Sequence, residues 1–319
     1  MQFKEQNLKN LSSLTQFLLL GFSKDCEMQV SLFTVFLIYY LVAVGGNLLI
    51  ISAVVTNRHL HNPMYFFLMN LAIQDVGQVS VIFPKSMANS LMDIRYISYS
   101  GCVAQVLFYV FFATSDFFFL TVMAYDRYVA ICNPLHYEML MNKKVCLRIT
   151  ATIWTSGFLH GVLHAGGTFA APFCSNIVNQ FFCEIPQLMK LVCSDLYLIE
   201  VGLILLGAVL AGGCFIFILV TYMHIFTAVL KIPSMHGRQK AFSTCLPHLL
   251  VVSIFVFTVC SVHIKPSTNS PLYLDLATTI LYSMVPPLMN PVIYSLRNKE
   301  IKKALTEMLC LRYSSVNSF

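Results

Sequence analysis

The sequence predicts an all-α membrane protein: a seven-transmembrane helix bundle with an extracellular N-terminus and a short amphipathic cytoplasmic helix after the seventh span. Three observations predict it. Of 319 residues, 57% are hydrophobic and only 11% charged, whereas soluble domains carry about a quarter charged residues. Five intervals contain no Asp, Glu, Lys or Arg: Glu27 to Arg58, Arg148 to Glu184, Glu200 to Lys231, Lys240 to Lys265 and Asp275 to Arg297. Each exceeds the about 20 residues that cross hydrocarbon. Two further apolar stretches, 63–85 and 99–132, contain the internal acids Asp75 and Asp116. The third observation is charge placement. With the N-terminus outside, thirteen of the 20 basic residues fall on the cytoplasmic side, among them Lys143, Lys144, Arg148, Arg238 and Lys302. That bias orients the chain in a membrane.

These spans divide the chain into an extracellular tail (1–28), the bundle (29–297) and a cytoplasmic helix and tail (298–319). Phe17-Leu-Leu-Leu-Gly21 is too short for a cleavable signal, so the first span is expected to target the chain. The formal charge of +6 implies no nucleic acid. It sits where anionic inner-leaflet lipid would meet it.

Taken in order, the tail contains Asn10-Leu11-Ser12, an N-x-S glycosylation acceptor. Span one carries Gly45-Gly46-Asn47, small residues for close helix approach and an amide that can bond neighbouring backbone. Leu60-His61-Asn62-Pro63-Met64-Tyr65-Phe66-Phe67-Leu68 opens span two, with proline in the first turn, where its missing N–H costs least. Asp75 and Asp116 then lie at comparable depth in neighbouring spans. Two like charges there either share a proton or hold a cation; simple protonated glue is the bland alternative.

Span three ends in Met123-Ala-Tyr-Asp-Arg-Tyr-Val-Ala-Ile-Cys-Asn-Pro-Leu-His-Tyr137. Arginine alone could snorkel to headgroups. An adjacent acid, two flanking tyrosines and a helix stop at Asn133-Pro134 point instead to a functional site. Beyond span four, which contains the only tryptophan, Trp154, a long loop carries Cys174, Cys183 and Cys193. With Cys102 they make four, and sequence alone allows three pairings. Cys132, Cys146, Cys214, Cys245 and Cys260 lie in or beside spans, where thiols pack as small hydrophobes. Cys26 and Cys310 stay open, Cys310 being in a context suited to palmitoylation.

Span five ends at Thr221-Tyr-Met-His-Ile225, and Lys240-Ala-Phe-Ser-Thr-Cys-Leu-Pro-His-Leu249 opens span six. Cys245 and His248 are about one turn apart, but two ligands are too few for a metal, and helix packing is the reading. Span seven ends with Pro287-Leu-Met-Asn-Pro-Val-Ile-Tyr-Ser-Leu-Arg-Asn298, its prolines a plausible hinge. From Lys299 to Leu309, Ile301, Leu305, Met308 and Leu309 face one way and Lys302, Lys303 and Glu307 the other.

The strings in spans two, three, five, six and seven, in this order and spacing, resemble those of vertebrate olfactory receptors, a branch of the rhodopsin-like G-protein-coupled receptors. The resemblance runs through all seven spans. It implies a plasma-membrane receptor, not an enzyme, that binds a small odorant and activates a heterotrimeric stimulatory G protein to raise cyclic AMP. By the family pattern, Asp126, Arg127, Tyr128, Tyr222, Lys240, His248, Asn290, Pro291 and Tyr294 form the coupling switch. Asp75, Asp116 and Asn290 form a sodium or proton site, the only ion implied and with no other cofactor. The family's loop motif, matched by Phe181-Phe182-Cys183-Glu184, implies Cys102–Cys183, leaving Cys174–Cys193. The ligand wall would include Tyr109, Val110, Ala113, Thr114, Leu206, Val256, Val259, Cys260, His263 and Tyr282, which suits a neutral, mostly apolar molecule.

The chain departs from the pattern in places. Asn62 stands where threonine is usual, Asp116 where glutamate is, and Phe255-Val256-Phe257 replaces Phe-Tyr-Gly. Other classes fit worse. No span carries a lysine for a retinal Schiff base, no inverted repeat suggests a transporter, and no nucleophile–base pair suggests an intramembrane enzyme.

Overall fold

A computed structural model describes residues 15–20, 26–92, 95–263, 272–297 and 299–316. For some of these only the backbone is described, Lys240, Val259, Cys260 and His263 among them. Among the described residues seven long helices follow one another: α1 (Cys26–Thr56), α2 (Pro63–Met92), α3 (Tyr99–Cys132), α4 (Lys143–Phe169), α5 (Tyr197–Leu230), α6 (Met235–His263) and α7 (Leu272–Arg297). An eighth, α8 (Lys299–Val316), completes the series.

Local chemistry sets their ends. The Asn62 side chain accepts the Tyr65 N–H at 3.3 Å and caps α2. Asn142 does the same for Val145 at the start of α4, at 3.0 Å. Helix α3 stops one residue before Asn133-Pro134, because the residue ahead of a proline is pushed out of helical conformation.

Among the described residues, five helices are long and apolar enough to cross a membrane: α1, α2, α3, α5 and α6. Helices α4 and α7, with 27 and 26 residues, have the length but are less apolar. Histidines, threonines and three basic residues dilute α4; prolines and Asn290 dilute α7. Outward-facing apolar residues on α5, such as Val209 at 73% exposure, are tolerable where the surroundings are lipid.

The expected all-α architecture stands, and one small element adds to it. A small three-stranded sheet runs in the order β2-β1-β3, with β1 Gln16–Leu19, β2 Tyr96–Ser98 and β3 Ile177–Val178. Strand β1 pairs antiparallel with β2, Phe17 opposite Ile97, and parallel with β3, Leu18 opposite Ile177. The pairing satisfies backbone that would otherwise lie bare beside the core.

The chain divides into two compact units. One comprises residues 1–41, 77–114 and 155–211. It carries the sheet and a core of Phe17, Leu19, Cys102, Val106, Phe173, Val178 and Leu188. Phe17 sits among Tyr99, Phe169 and Phe173. Here α3 and α4 approach closely, and only glycine fits: a Cβ at Gly161 would fall 2.5 Å from the Leu107 carbonyl oxygen.

The other unit comprises residues 42–76, 115–154 and 212–319. Its core gathers Leu71, Phe119, Leu120, Ile218, Tyr222, Val252 and Tyr294. Helix α8 docks here through buried Ile301 and Ala304, with Lys302 and Lys303 exposed. It is amphipathic as expected and extends past Leu309.

Candidate functional site

The residues expected to form the coupling switch lie in the second unit. Helix α3 brings Asp126 and Arg127 there, 2% and 5% exposed. A buried carboxylate needs donors, and Tyr137, in the one-turn helix Tyr137–Leu140, gives its hydroxyl to Asp126 at 2.8 Å. Tyr222 of α5, Cys245 of α6 and Tyr294 of α7 lie within electrostatic range of the Arg127 guanidinium, as does Asp126. Tyr128 is half-buried, its ring near Tyr125 and His224.

His248 is fully buried. Its Nε2 lies 2.9 Å from the Leu120 carbonyl oxygen, and its Nδ1 lies 2.7 Å from the Tyr222 hydroxyl. A carbonyl can only accept, so Nε2 carries the hydrogen; Nδ1 therefore accepts from Tyr222. Both ring nitrogens are engaged, which leaves none for a metal shared with Cys245.

In α7 the missing N–H of Pro291 frees the Pro287 carbonyl four residues earlier. The Asn47 amide donates to that carbonyl at 3.1 Å and to Ala43 at 3.0 Å. Gly46 lets α1 come this close: a Cβ there would sit 3.1 Å from Pro291 Cβ. The packing role of Gly46 and Asn47 thus has a specific partner, the proline break of α7, whereas a Cβ at Gly45 would meet nothing within 4 Å.

Asp75 and Asp116 are 0% and 4% exposed and lie within electrostatic range of each other. Asn290 donates to both oxygens of Asp75, at 3.2 and 2.9 Å. One oxygen of Asp116 has no hydrogen-bond partner among the described residues, and neither has the Tyr294 hydroxyl. An unpartnered buried carboxylate oxygen near a second acid fits a hard cation or a shared proton. Among the described residues no three His, Cys, Asp or Glu converge as metal ligands; a sodium ion would need neutral oxygens besides the two acids.

In the first unit both expected cysteine pairs are disulfides, Cys102–Cys183 and Cys174–Cys193. Gln105 accepts the Cys183 N–H at 2.8 Å and donates to the Val81 carbonyl at 3.0 Å, tying the loop to α3 and α2. Of the ligand-wall positions here, Tyr109 packs near the Phe182 ring, 5.7 Å between centroids. Val110 packs on the core, and Ala113 is half-buried. Thr114 bonds to His160. Leu206 stands apart at 56% exposure.

In the second unit Val256 packs on the core and Tyr282 is half-buried. Asn10 and the side chains of Lys240, Val259, Cys260, His263, Cys26 and Cys310 lie outside what is described.

Sequence reasoning missed one constellation. Thr114, His160, His164 and Glu200 form a hydrogen-bonded chain through α3, α4 and α5. The available signal was a pair of histidines four residues apart, on one helical face.

The fold and its buried acid–arginine pair define a class: a multi-pass membrane protein with the rhodopsin architecture. The structure of squid rhodopsin superposes with a TM-score of 0.73 at 16% identity, covering 91% of this chain and 88% of that one. The olfactory receptor family model matches residues 36–312. Human olfactory receptor 14C36 is 45% identical over 311 residues, 97% of this chain and 100% of its own length. Human olfactory receptor 14A16 is 47% identical over 299 residues, covering 93% and 96%. The chain belongs to the olfactory receptor family. Family and fold together make it a G-protein-coupled receptor for a small molecule, a signalling protein rather than an enzyme.

Proposed function

We propose that the chain is an odorant receptor that activates a stimulatory G protein and raises cyclic AMP. The observation that carries the coupling role is the buried set around Arg127, with His248 joining α3, α5 and α6 through Leu120 and Tyr222. Such a set has two arrangements if α6 moves outward, and a ligand shifts their balance only by its preference for one. The ligand is a neutral, mostly apolar volatile molecule with one hydrogen-bonding group, met on α3 by Tyr109, Val110, Ala113 and Thr114. The receptor resides in the plasma membrane with Asn10 outside, glycosylated, and α8 on cytoplasmic lipid. Asp75 and Asp116 hold a sodium ion or a proton that biases the resting state.

The deciding experiment is cyclic AMP in cells expressing the receptor with an olfactory-type stimulatory G protein, challenged with mixed volatile odorants. A response that Arg127→Ala abolishes at equal surface expression supports the proposal. A response that survives the substitution, or none from surface-expressed wild type, counts against it.

A further inference from the structure

The chain Thr114–His160–His164–Glu200 is confined to the first unit. Glu200, 0% exposed, meets Nδ1 of His164 in a short contact. Nε2 of His164 lies 3.0 Å from Nε2 of His160, and Nδ1 of His160 lies 2.9 Å from the Thr114 hydroxyl. The surroundings are built for it. A Cβ at Gly167 would fall 2.6 Å from Glu200 Oε2, and one at Gly207 would lie 3.5 Å from the His160 ring. Thr121 returns its hydroxyl to the Phe117 carbonyl one turn back, whereas Thr114 turns its hydroxyl to His160.

A hydrogen-bonded chain of this kind has two directions, which differ by one proton. Without that proton the cluster carries a bare negative charge. Among the described residues no lysine or arginine pairs with Glu200, and its second oxygen has no partner. A buried uncompensated charge is costly, so the net-neutral cluster is favoured. In that direction one hydrogen bridges Glu200 and Nδ1 of His164. Nε2–H of His164 donates to Nε2 of His160, and Nδ1–H of His160 donates to the Thr114 oxygen. The Thr114 hydroxyl hydrogen is left to donate onward, strengthened by the chain behind it.

We propose that this chain makes Thr114 a fixed hydrogen-bond donor and so selects ligands with an acceptor oxygen, ketones, aldehydes, esters or ethers, over the matching alcohols. The inference rests on the receptor reading above, with Thr114 on the ligand side of α3. An alcohol can also accept from Thr114, but its own O–H then stays unmatched in an apolar site, and an unmade buried hydrogen bond is penalised. His160, His164 and Glu200 are positioning residues; Thr114 touches the ligand.

The test uses matched series of one carbon skeleton: camphor, borneol and bornane; menthone, menthol and menthane; cyclohexanone, cyclohexanol and cyclohexane. Cyclic AMP is read in cells with surface expression measured for each variant. In wild type the effective ketones act at about tenfold lower concentration than their alcohols, equivalent to about 1.4 kcal/mol, and the hydrocarbons are weakest. Thr114→Val removes the ketone's advantage, and Thr114→Ser keeps it. Glu200→Gln narrows it, because an amide is neutral with the chain running either way. Alcohols level with or ahead of ketones in wild type, or a ketone advantage that survives Thr114→Val, would overturn the relay alone. A surface-expressed wild type that answers no member of any series overturns the relay together with the receptor reading.

Discussion

The Tyr222 hydroxyl gives its hydrogen to Nδ1 of His248 at 2.7 Å, while the same imidazole holds the Leu120 carbonyl at 2.9 Å through Nε2. One side chain of α6 thus clasps both the backbone of α3 and a tyrosine of α5 that lies within electrostatic range of Arg127. Outward movement of α6 must break the bond to Leu120. Replacing His248 with leucine keeps an apolar filling of the space and removes both bonds. A net hydrogen bond is worth about 1 kcal/mol, so the balance between states should shift about fivefold. Ligand-free cyclic AMP is expected to rise in His248→Leu when normalised to surface receptor. Unchanged or lower basal signalling would show that the clasp does not hold the resting state.

Asn47 predicts a structural effect. Its amide fills the carbonyl of Pro287 that Pro291 leaves open. Asn47→Leu buries that carbonyl without a donor, at a cost of about 1–3 kcal/mol. The purified variant in detergent should melt several degrees below wild type and reach the cell surface less well. Gly46→Ala tests the same contact from its steric side. The added methyl group meets Pro291 at 3.1 Å, and a small loss of stability is expected because the ring must give way slightly. Melting curves equal to wild type for both would detach α1 from the proline break.

Much of this was legible in the residues, because the strongest signals are local in sequence. Uncharged intervals mark most of the helices, Asn133-Pro134 marks the end of α3, and the strings around Arg127, His248 and Pro291 mark buried polar residues of the second unit. The less apolar helices α4 and α7 were legible from their missing charges, though their own composition is weak. What was not legible depends on partners far away in the chain. Strand β1 reads as an isolated apolar patch, Phe17-Leu-Leu-Leu-Gly21, until segments near Ile97 and Ile177 pair with it. His160 and His164 visibly share a helical face, but nothing near them announces Thr114 or Glu200. The amide of Asn47 was readable as glue; that its partner is a proline-freed carbonyl 240 positions away was not.

The paired acids make an ionic prediction. Asp75 is satisfied by Asn290, whereas one oxygen of Asp116 lacks a partner among the described residues. If sodium stabilises the resting state there, replacing sodium with choline raises ligand-free cyclic AMP in wild type. Asp116→Asn and Asp75→Asn remove the charge that holds the ion, so both should lose that response. A sodium effect that persists in both variants would place the ion elsewhere. No sodium effect in wild type would favour the shared proton.

Tyr137 gives a prediction with a definite pH window. Burial pushes its phenol well above the ordinary tyrosine value, and the carboxylate of Asp126 adds to the shift. The folded state therefore binds this proton more tightly than the unfolded chain does. The stability it contributes is fully present below the ordinary tyrosine value of about 10, and is lost as the pH climbs beyond it. Through the neutral range the bond to Asp126, 2.8 Å long, should be constant. Tyr137→Phe leaves a buried carboxylate short of one donor, at a cost of about 1–3 kcal/mol. Its melting temperature should be lower than wild type by a nearly fixed amount at neutral pH. Above about pH 10 the gap should narrow, since wild type alone loses the contribution of this phenol. A gap that widens in alkali would reverse the sign of the linkage and mean that Tyr137 is not the donor holding Asp126.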